Sequence, residues 1–199
     1  MTILPSAYLG SVEYFCHLLA DDCVIDAGEH FVKRSQRNRA EIMTANGPLA
    51  LTVHVCNANR PRTPMRDIRI DYSKRWQHLH RVALESAYRS SPYFEHYGPE
   101  LLRFYDKKYE FLVDYNTELT EVLLRLAHID RPLNISHQYV EASEGDLDLR
   151  PKKRESTFGC SPYYQLFGDR FPFAPNLSFL DLLFCEGRSA ISVLRDCRP

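Results

Sequence analysis

The hydrophobic pattern in the first part of the chain predicts short strands joined by turns. Thr2–Leu4 and Cys23–Asp26 are brief apolar runs, and Leu49–Val55 alternates apolar and polar residues as a half-buried strand does. The Asn46-Gly47 pair just before this last run is a strong hairpin signal. We therefore expect Glu41–Met43 to pair with the strand that follows the turn.

Apolar residues spaced by three and four positions predict helices elsewhere. This spacing covers Val12–Ala20, Lys74–Arg89 and a long stretch near 99–128. Further along, Ser178 and Gly187 are suitable residues to begin and to end a helix. The sequence thus predicts a long amphipathic helix near 99–128 and a C-terminal helical segment.

The order of these elements predicts an α/β fold in a single domain over residues 1–199. The strands are short, and the sequence leaves open whether they form a mixed sheet. The charged segment Ser143–Thr157 is nearly free of apolar residues and predicts a mobile surface loop. The apolar stripe of the long helix favours ordinary core packing over a dimer seam, and a homo-oligomer stays open.

Composition and charge exclude several classes of protein. A hydrophobic content of 44% argues against disorder, and a formal net charge of −1 argues against a dedicated nucleic-acid binder. The six cysteines include no C-x-x-C pair, so neither a zinc site nor a redox motif is predicted. The sequence leaves the cofactor unknown. The first residues lack the features of a signal peptide, and no run is long and apolar enough to span a membrane. We therefore expect a cytoplasmic protein with reduced thiols.

The run His30–Arg39 concentrates positive charge in this nearly neutral chain. Lys33, Arg34, Arg37 and Arg39 fall within seven residues, directly after the second predicted strand. Arginine and lysine at the end of a strand suit the binding of a phosphate or carboxylate, and Asn38 adds a directed hydrogen bond. The alternative is a solvated basic surface, which is the commoner outcome for a charge run.

Several segments together carry a resemblance to a known family. They occur in the expected order along nearly the whole chain and comprise Leu4–Leu9 with Val12–Phe15, His30–Arg39, Trp76 with His80, Glu85–Phe94, Tyr163–Gln165 and Asn176–Phe184. On these segments the chain resembles the WbqC-like proteins of bacterial O-antigen and capsule gene clusters. The Ser-Ala-Tyr-Leu start resembles the members found in Bacteroidetes.

The resemblance implies a role in the synthesis of surface polysaccharides. The expected activity is that of a transferase acting on a nucleotide-linked or carrier-linked sugar, with transfer of glycine or another amino acid as one form of it. The expected partner is thus a small anionic substrate. The alternative function is a non-catalytic binding or assembly partner of polysaccharide enzymes.

The resemblance also changes how the basic run is interpreted. It favours binding of substrate by Lys33, Asn38 and Arg39, and it leaves Arg34 on the surface. Arg37 belongs to the same clamp on the charge pattern alone. It adds Tyr8, from the N-terminal segment, to the residues that bind substrate.

His80 is the candidate for proton transfer, because it lies one helical turn from Trp76 and could act as a general acid or base. The alternative is a core histidine with a single hydrogen bond.

Asp26 and His30 could complete an acid–base set, unless Asp26 only caps the end of its strand. Tyr164 and Gln165 could bind a sugar by stacking and an amide hydrogen bond, or could be ordinary packing residues.

Overall fold

The computed structural model of the chain describes residues 1–152 and 158–197. Within them, four short strands form a parallel sheet in the order β5-β2-β1-β6, where β1 is Thr2–Pro5, β2 Cys23–Asp26, β5 Ile135–Ser136 and β6 Leu147–Asp148. The two central strands, β1 and β2, are buried along their whole length. Strands that are buried on both faces are apolar without alternation, which is why both appear in the sequence as continuous hydrophobic runs.

A hairpin of β3 (Arg39–Thr44) and β4 (Gly47–Thr52) packs beside this sheet. Its turn contains Asn46 and Gly47, and Gly47 has a φ of 101°, which favours glycine. The predicted hairpin is confirmed, although β4 ends at Thr52 and not at Val55. The antiparallel pair is separate from the main sheet, so the main sheet is not mixed.

Capping residues set the ends of several helices as the sequence predicts. Helix α1 is Val12–Leu18, and the Ser11 hydroxyl accepts a hydrogen bond from the Tyr14 backbone N–H. Helix α2 is Trp76–Tyr88. Ser178 and Gly187 bound helix α5, so the predicted C-terminal helical segment is confirmed. The helices of the described residues are α1 Val12–Leu18, α2 Trp76–Tyr88, α3 Phe94–Leu102, α4 Leu112–Leu126, α5 Phe179–Glu186 and α6 Ala190–Asp196.

The predicted long helix near 99–128 is wrong, because the chain breaks it into two. Helix α3 ends at Leu102, a short 3-10 turn follows, and α4 begins only at Leu112. Between them, the Tyr109 backbone N–H donates to the Tyr72 hydroxyl at 2.8 Å, and that hydroxyl donates to the Tyr109 carbonyl at 3.0 Å. A distant side chain thus satisfies the backbone groups that a continuous helix would have paired.

The apolar stripe of this region is nevertheless buried inside the chain. Leu102, Tyr105, Leu112, Leu119 and Leu123 are all members of the core. The interpretation of the stripe as core packing is therefore confirmed.

The charged segment predicted as a surface loop contains an ordered edge of the sheet. The Leu147 N–H donates to the Met1 carbonyl at 3.0 Å, the Leu149 N–H donates to the Ile3 carbonyl at 2.9 Å, and Leu149 and Arg150 are buried. A two-residue strand within an acidic run carries too little hydrophobic pattern to be recognised. Residues 153–157 of this segment lie outside the described residues.

No helix among the described residues has the length and apolar character that crossing a membrane requires.

Candidate functional site

Buried ion pairs cross-link the carboxyl ends of the sheet strands. The Asp26 carboxylate is inaccessible to solvent; it pairs with the Arg150 guanidinium at 2.5 Å and accepts the backbone N–H groups of Gly28 and Glu29 at 2.8 and 3.0 Å. Asp26 therefore caps its strand, as the second of the two interpretations proposed. His30 is exposed and forms a backbone bridge to Pro64, so the structure does not bring it together with Asp26 as an acid–base pair.

Arg37 is a buried structural cation. Its guanidinium makes a bidentate pair with Glu29, with Nε to Oε1 at 2.9 Å, and also donates to the Ser35 hydroxyl at 3.1 Å and the Arg150 carbonyl at 3.0 Å. Burial raises the pKa of Glu29 to about 7, while the Arg37 charge opposes this shift. Since these contacts occupy the guanidinium, Arg37 is not available to clamp a ligand.

Asn38 holds the turn that contains Arg34. Its side-chain amide donates to the Val53 carbonyl at 2.9 Å, and its amide oxygen accepts the Arg34 backbone N–H at 3.1 Å. Arg34 has a φ of 54°, a conformation that is strained for a residue with a side chain. Asn38 is thus a positioning residue, whereas Lys33 is exposed and donates to the Asn59 side chain at 2.6 Å.

Arg34 and Arg39 line a cavity of about 230 Å³, which we call the arginine cavity. Both side chains are exposed, and neither guanidinium has a hydrogen-bond or ion-pair partner in the described parts of the chain. The remaining lining combines polar groups, one carboxylate and the loop after β1: Tyr8, Leu9, Gly10, Ser11, Ser35, Gln36, Ala40, Glu41, Asn176 and Ser178. Two unpaired arginines on one cavity are suited to an anion.

A second cavity, of about 170 Å³, adjoins the first, because Ser11 and Gln36 line both. We call it the adjoining cavity, and its lining is Leu4, Ser11, Glu13, Tyr14, His17, Gln36, Leu149, Pro151 and Lys152. Asn176 links the two, since its side chain both donates to Glu13 at 2.8 Å and accepts the Glu13 backbone N–H at 3.0 Å.

The two cavities lie where an α/β fold places its ligands. They surround the loop after β1 and the residues after β6, at the carboxyl ends of these neighbouring strands. Strand β1 leads along the chain to its neighbour β2, whereas its other neighbour, β6, comes from much later in the sequence. Ligands of open parallel sheets bind outside the carboxyl ends at such a change of strand order.

His80 is sealed in an aromatic cluster beside the arginine cavity. It is 5% exposed, its Nδ1 is 2.8 Å from the Tyr8 hydroxyl, and that hydroxyl is 2.8 Å from the hydroxyl of Tyr105. The Trp76 ring lies 5.2 Å away, centroid to centroid. Burial lowers the pKa of His80 from 6.5 to about 4. His80 is therefore a neutral core histidine at neutral pH, and it holds Tyr8, which lines the cavity.

Tyr164 and Gln165 do not line either cavity. Tyr164 is 53% exposed, whereas the buried Gln165 amide donates to the Ala174 carbonyl at 2.9 Å and to the Asp181 carboxylate at 3.1 Å. Asp181 also accepts hydrogen bonds from Tyr88 and Tyr163, both at 2.9 Å, and burial raises its pKa. This buried polar network fixes helix α5 against the chain before it.

The arginine cavity and the adjoining cavity together form what we call the crevice. The sequence did not indicate several of the residues that line it. The sequence leaves Arg34 on the surface, and nothing in the basic run singles out Gln36, which stands within it. The spacing of Glu13 and His17, four apart on a helix, was a usable signal, because such residues share one face. Lys152 carried no signal, since its position depends on the edge strand β6.

Comparisons with known proteins identify a curated relative and a family. The chain is 28% identical over 233 aligned positions to the "Uncharacterized protein Rv1507c" of Mycobacterium tuberculosis, an alignment that covers 100% of this chain and 98% of that protein. No solved structure matches. The model of the WbqC-like protein family matches residues 6–156, a range that includes both arginines of the cavity and most residues of the two linings. The chain belongs to the WbqC-like protein family.

Proposed function

We propose that the protein is a cytoplasmic transferase of bacterial surface-polysaccharide synthesis, acting on a nucleotide-linked or carrier-linked sugar. The observation that carries this proposal is the pair Arg34 and Arg39 on one cavity at the carboxyl edge of a parallel sheet. Both are exposed cations, and neither side chain has a partner among the described residues. Family membership supplies the link to polysaccharides. The phosphate groups of the substrate would lie in the arginine cavity.

The chemistry of the cavity supports an anionic ligand of this size. Arginine forks donate paired hydrogen bonds to phosphate oxygens, and Gln36 and Ser11 add neutral donors at the junction of the two cavities. Taken together, the two cavities reach the range of small-molecule sites, about 300–1,000 Å³. The Glu41 carboxylate in the lining disfavours a ligand that presents only negative charge, and it suits a ligand that also presents hydroxyl groups.

Proton transfer would fall to a group that faces this crevice. The transfer of an amino-acid or other acyl group to a sugar requires that an amine or hydroxyl lose its proton. His17 is itself buried, with 4% of its surface exposed, but it lines the adjoining cavity together with Lys152 and Glu13. His80 lies behind Tyr8 and lines neither cavity. We therefore assign proton transfer to His17 and give His80 the role of positioning Tyr8.

Titration calorimetry against a panel of nucleotide sugars tests the proposal. We expect one of them to bind, and we expect Arg39→Gln to weaken its binding about 10-fold or more, since a charged hydrogen bond contributes about 1.5–3 kcal/mol. The matched control is Arg103→Gln, which changes an exposed arginine outside both linings and should leave the affinity unchanged. The nucleotide-linked form of the proposal fails if no nucleotide sugar binds at millimolar concentration. The assignment of the arginine cavity fails if the two variants bind equally well.

The alternative, a non-catalytic assembly partner, would use the apolar stripe between Leu102 and Leu126 and the surface tyrosines as its contact surface. Most of the stripe is buried in the core of the same chain, which removes the larger part of that surface. We therefore favour the small-molecule site.

A further inference from the structure

Three cysteines from distant parts of the chain meet at the end of helix α6. Cys16 lies in α1, Cys160 follows the undescribed residues 153–157, and Cys197 follows α6. The Sγ atoms of Cys160 and Cys197 are 2.9 Å apart, and the Cys16 thiol is in hydrogen-bonding contact with that of Cys197. All three are free thiols, so this is a cluster of three nucleophilic groups outside the crevice.

We propose that Cys160 and Cys197 form a reversible disulfide by exchange with a low-molecular-weight disulfide of the glutathione class. The Cys160 thiolate attacks one sulfur of that disulfide, breaks its S–S bond and releases one thiol. The Cys197 thiolate then attacks the Cys160 sulfur of the mixed disulfide and releases the second thiol. The two protein thiols are oxidised, the external disulfide is reduced to two thiols, and the two protons go to the released thiols.

The geometry assigns the order of these steps. Cys160 is partly exposed, whereas Cys197 is only 6% exposed, so an external disulfide reaches Cys160 first. Cys197 is then already beside the mixed disulfide. Its sulfur has to move about 1 Å closer to reach the bonding distance of about 2.05 Å. The Cys16 thiol donates to the Leu194 carbonyl at 3.6 Å and is the competing partner for Cys197.

The surroundings of these thiols control the rate. Burial raises the pKa of Cys160 to about 12 and that of Cys197 to about 11, so little thiolate is present at neutral pH. The exchange is therefore slow at pH 7 and accelerates about tenfold per pH unit up to about pH 10, in proportion to the thiolate fraction.

The cross-link would tie the end of helix α6 to the segment before helix α5. It closes a loop from Cys160 to Cys197 that contains both helices, and α6 packs on α1, whose Glu13 and His17 line the adjoining cavity. The disulfide would thus hold helix α6, on which α1 packs, in place without occupying the crevice. This inference does not depend on the proposed transferase activity.

The test is incubation of the full-length protein with glutathione disulfide at pH 7, 8 and 9, followed by alkylation and peptide mass spectrometry. We expect loss of two hydrogens, a linked Cys160–Cys197 peptide, and a rate that rises about tenfold per pH unit. Cys160→Ser should abolish the link. Cys56→Ser, which removes an exposed thiol elsewhere, and Cys16→Ser should both retain it.

Three outcomes would overturn the proposal. They are a stable glutathione adduct on Cys160 with no internal link, a Cys16–Cys197 link as the main product, and the same distribution of internal links in the folded protein and in the urea-unfolded chain. The last comparison requires no variant, so it remains decisive even if a substitution disturbs folding.

Discussion

Replacing His80 by glutamine should remove a loss of stability that the natural protein suffers as pH falls from 7 to 5. Burial lowers the pKa of His80 from 6.5 to about 4 in the folded state. Between these values the unfolded chain binds a proton that the folded chain does not. Protonation therefore favours the unfolded state, and stability is lost as pH falls below 6.5 toward 4.

The size of the effect follows from the shift. One pKa unit corresponds to about 1.4 kcal/mol, and integration between pH 7 and pH 5 gives a loss of about 2 kcal/mol. His80 is 5% exposed, so solvent does not screen this contribution appreciably. A glutamine at this position can still accept the hydrogen bond of the Tyr8 hydroxyl, and it does not titrate.

Urea unfolding followed by circular dichroism at pH 7, 6 and 5 measures the effect. At pH 7 we expect His80→Gln to be the less stable protein by about 1–2 kcal/mol, because it packs less well against Trp76. This deficit should shrink by about 2 kcal/mol at pH 5. Other groups, such as Glu29, titrate in both proteins and cancel in the difference.

The same substitution at His78 is the matched control, because this exposed imidazole lies on the same helix. The pH dependence of His78→Gln should follow that of the natural protein. If the stability difference between His80→Gln and the natural protein were the same at pH 7 and pH 5, the reasoning from burial would be refuted.

Three further substitutions test other features of the structure. Gly28→Ala should cost about 1–3 kcal/mol, because its Cβ would lie 2.2 Å from a backbone nitrogen, whereas Gly159→Ala meets nothing within 4 Å and should change the unfolding free energy by less than about 0.5 kcal/mol. Asp181→Asn should cost about 1–3 kcal/mol in urea unfolding, because an amide cannot accept all three of the donors that surround the carboxylate. Asn38→Ala should cost about 1–3 kcal/mol and also weaken the binding of nucleotide sugars, because the turn that presents Arg34 loses its anchor.

Each of these has a contrary result. Equal urea-unfolding midpoints for Gly28→Ala and Gly159→Ala would contradict the close approach of the backbone to Gly28. An unchanged midpoint for Asp181→Asn would show that its network does not stabilise the fold. If Asn38→Ala bound nucleotide sugars as tightly as the natural protein does, the turn that contains Arg34 would not contribute to the anion site.

Much of the local structure was predictable because adjacent residues determine it. Ser11 caps α1, Gly47 supplies the positive φ of the hairpin turn, and Gly187 ends α5, each through contacts within a few residues. The break between α3 and α4 was not predictable in this way. It depends on the Tyr72 hydroxyl, which lies 37 residues from Tyr109 along the chain.

The candidate site was predictable in composition but not in its individual residues. The basic run does border a cavity, and Arg39 lies on it as expected. Arg37, expected in the clamp, is buried in an ion pair, whereas Arg34, expected on the surface, is exposed and lines the cavity. Nothing near Arg37 in the sequence shows that it will be buried with Glu29 and the carbonyl of Arg150, the latter 113 residues away.

The sequence by itself determined the α/β class, the caps and turns, the family and the presence of a local cationic cluster. These follow from hydrophobic period, from residues with special backbone preferences and from a motif order that spans the chain. The tertiary structure alone decided which cations of the basic run are exposed and which are buried. It also placed His17, and not His80, in the lining of the adjoining cavity. The physical reason is that a charge has the same sequence signature in water and in a buried ion pair, and only the packing of distant segments distinguishes the two.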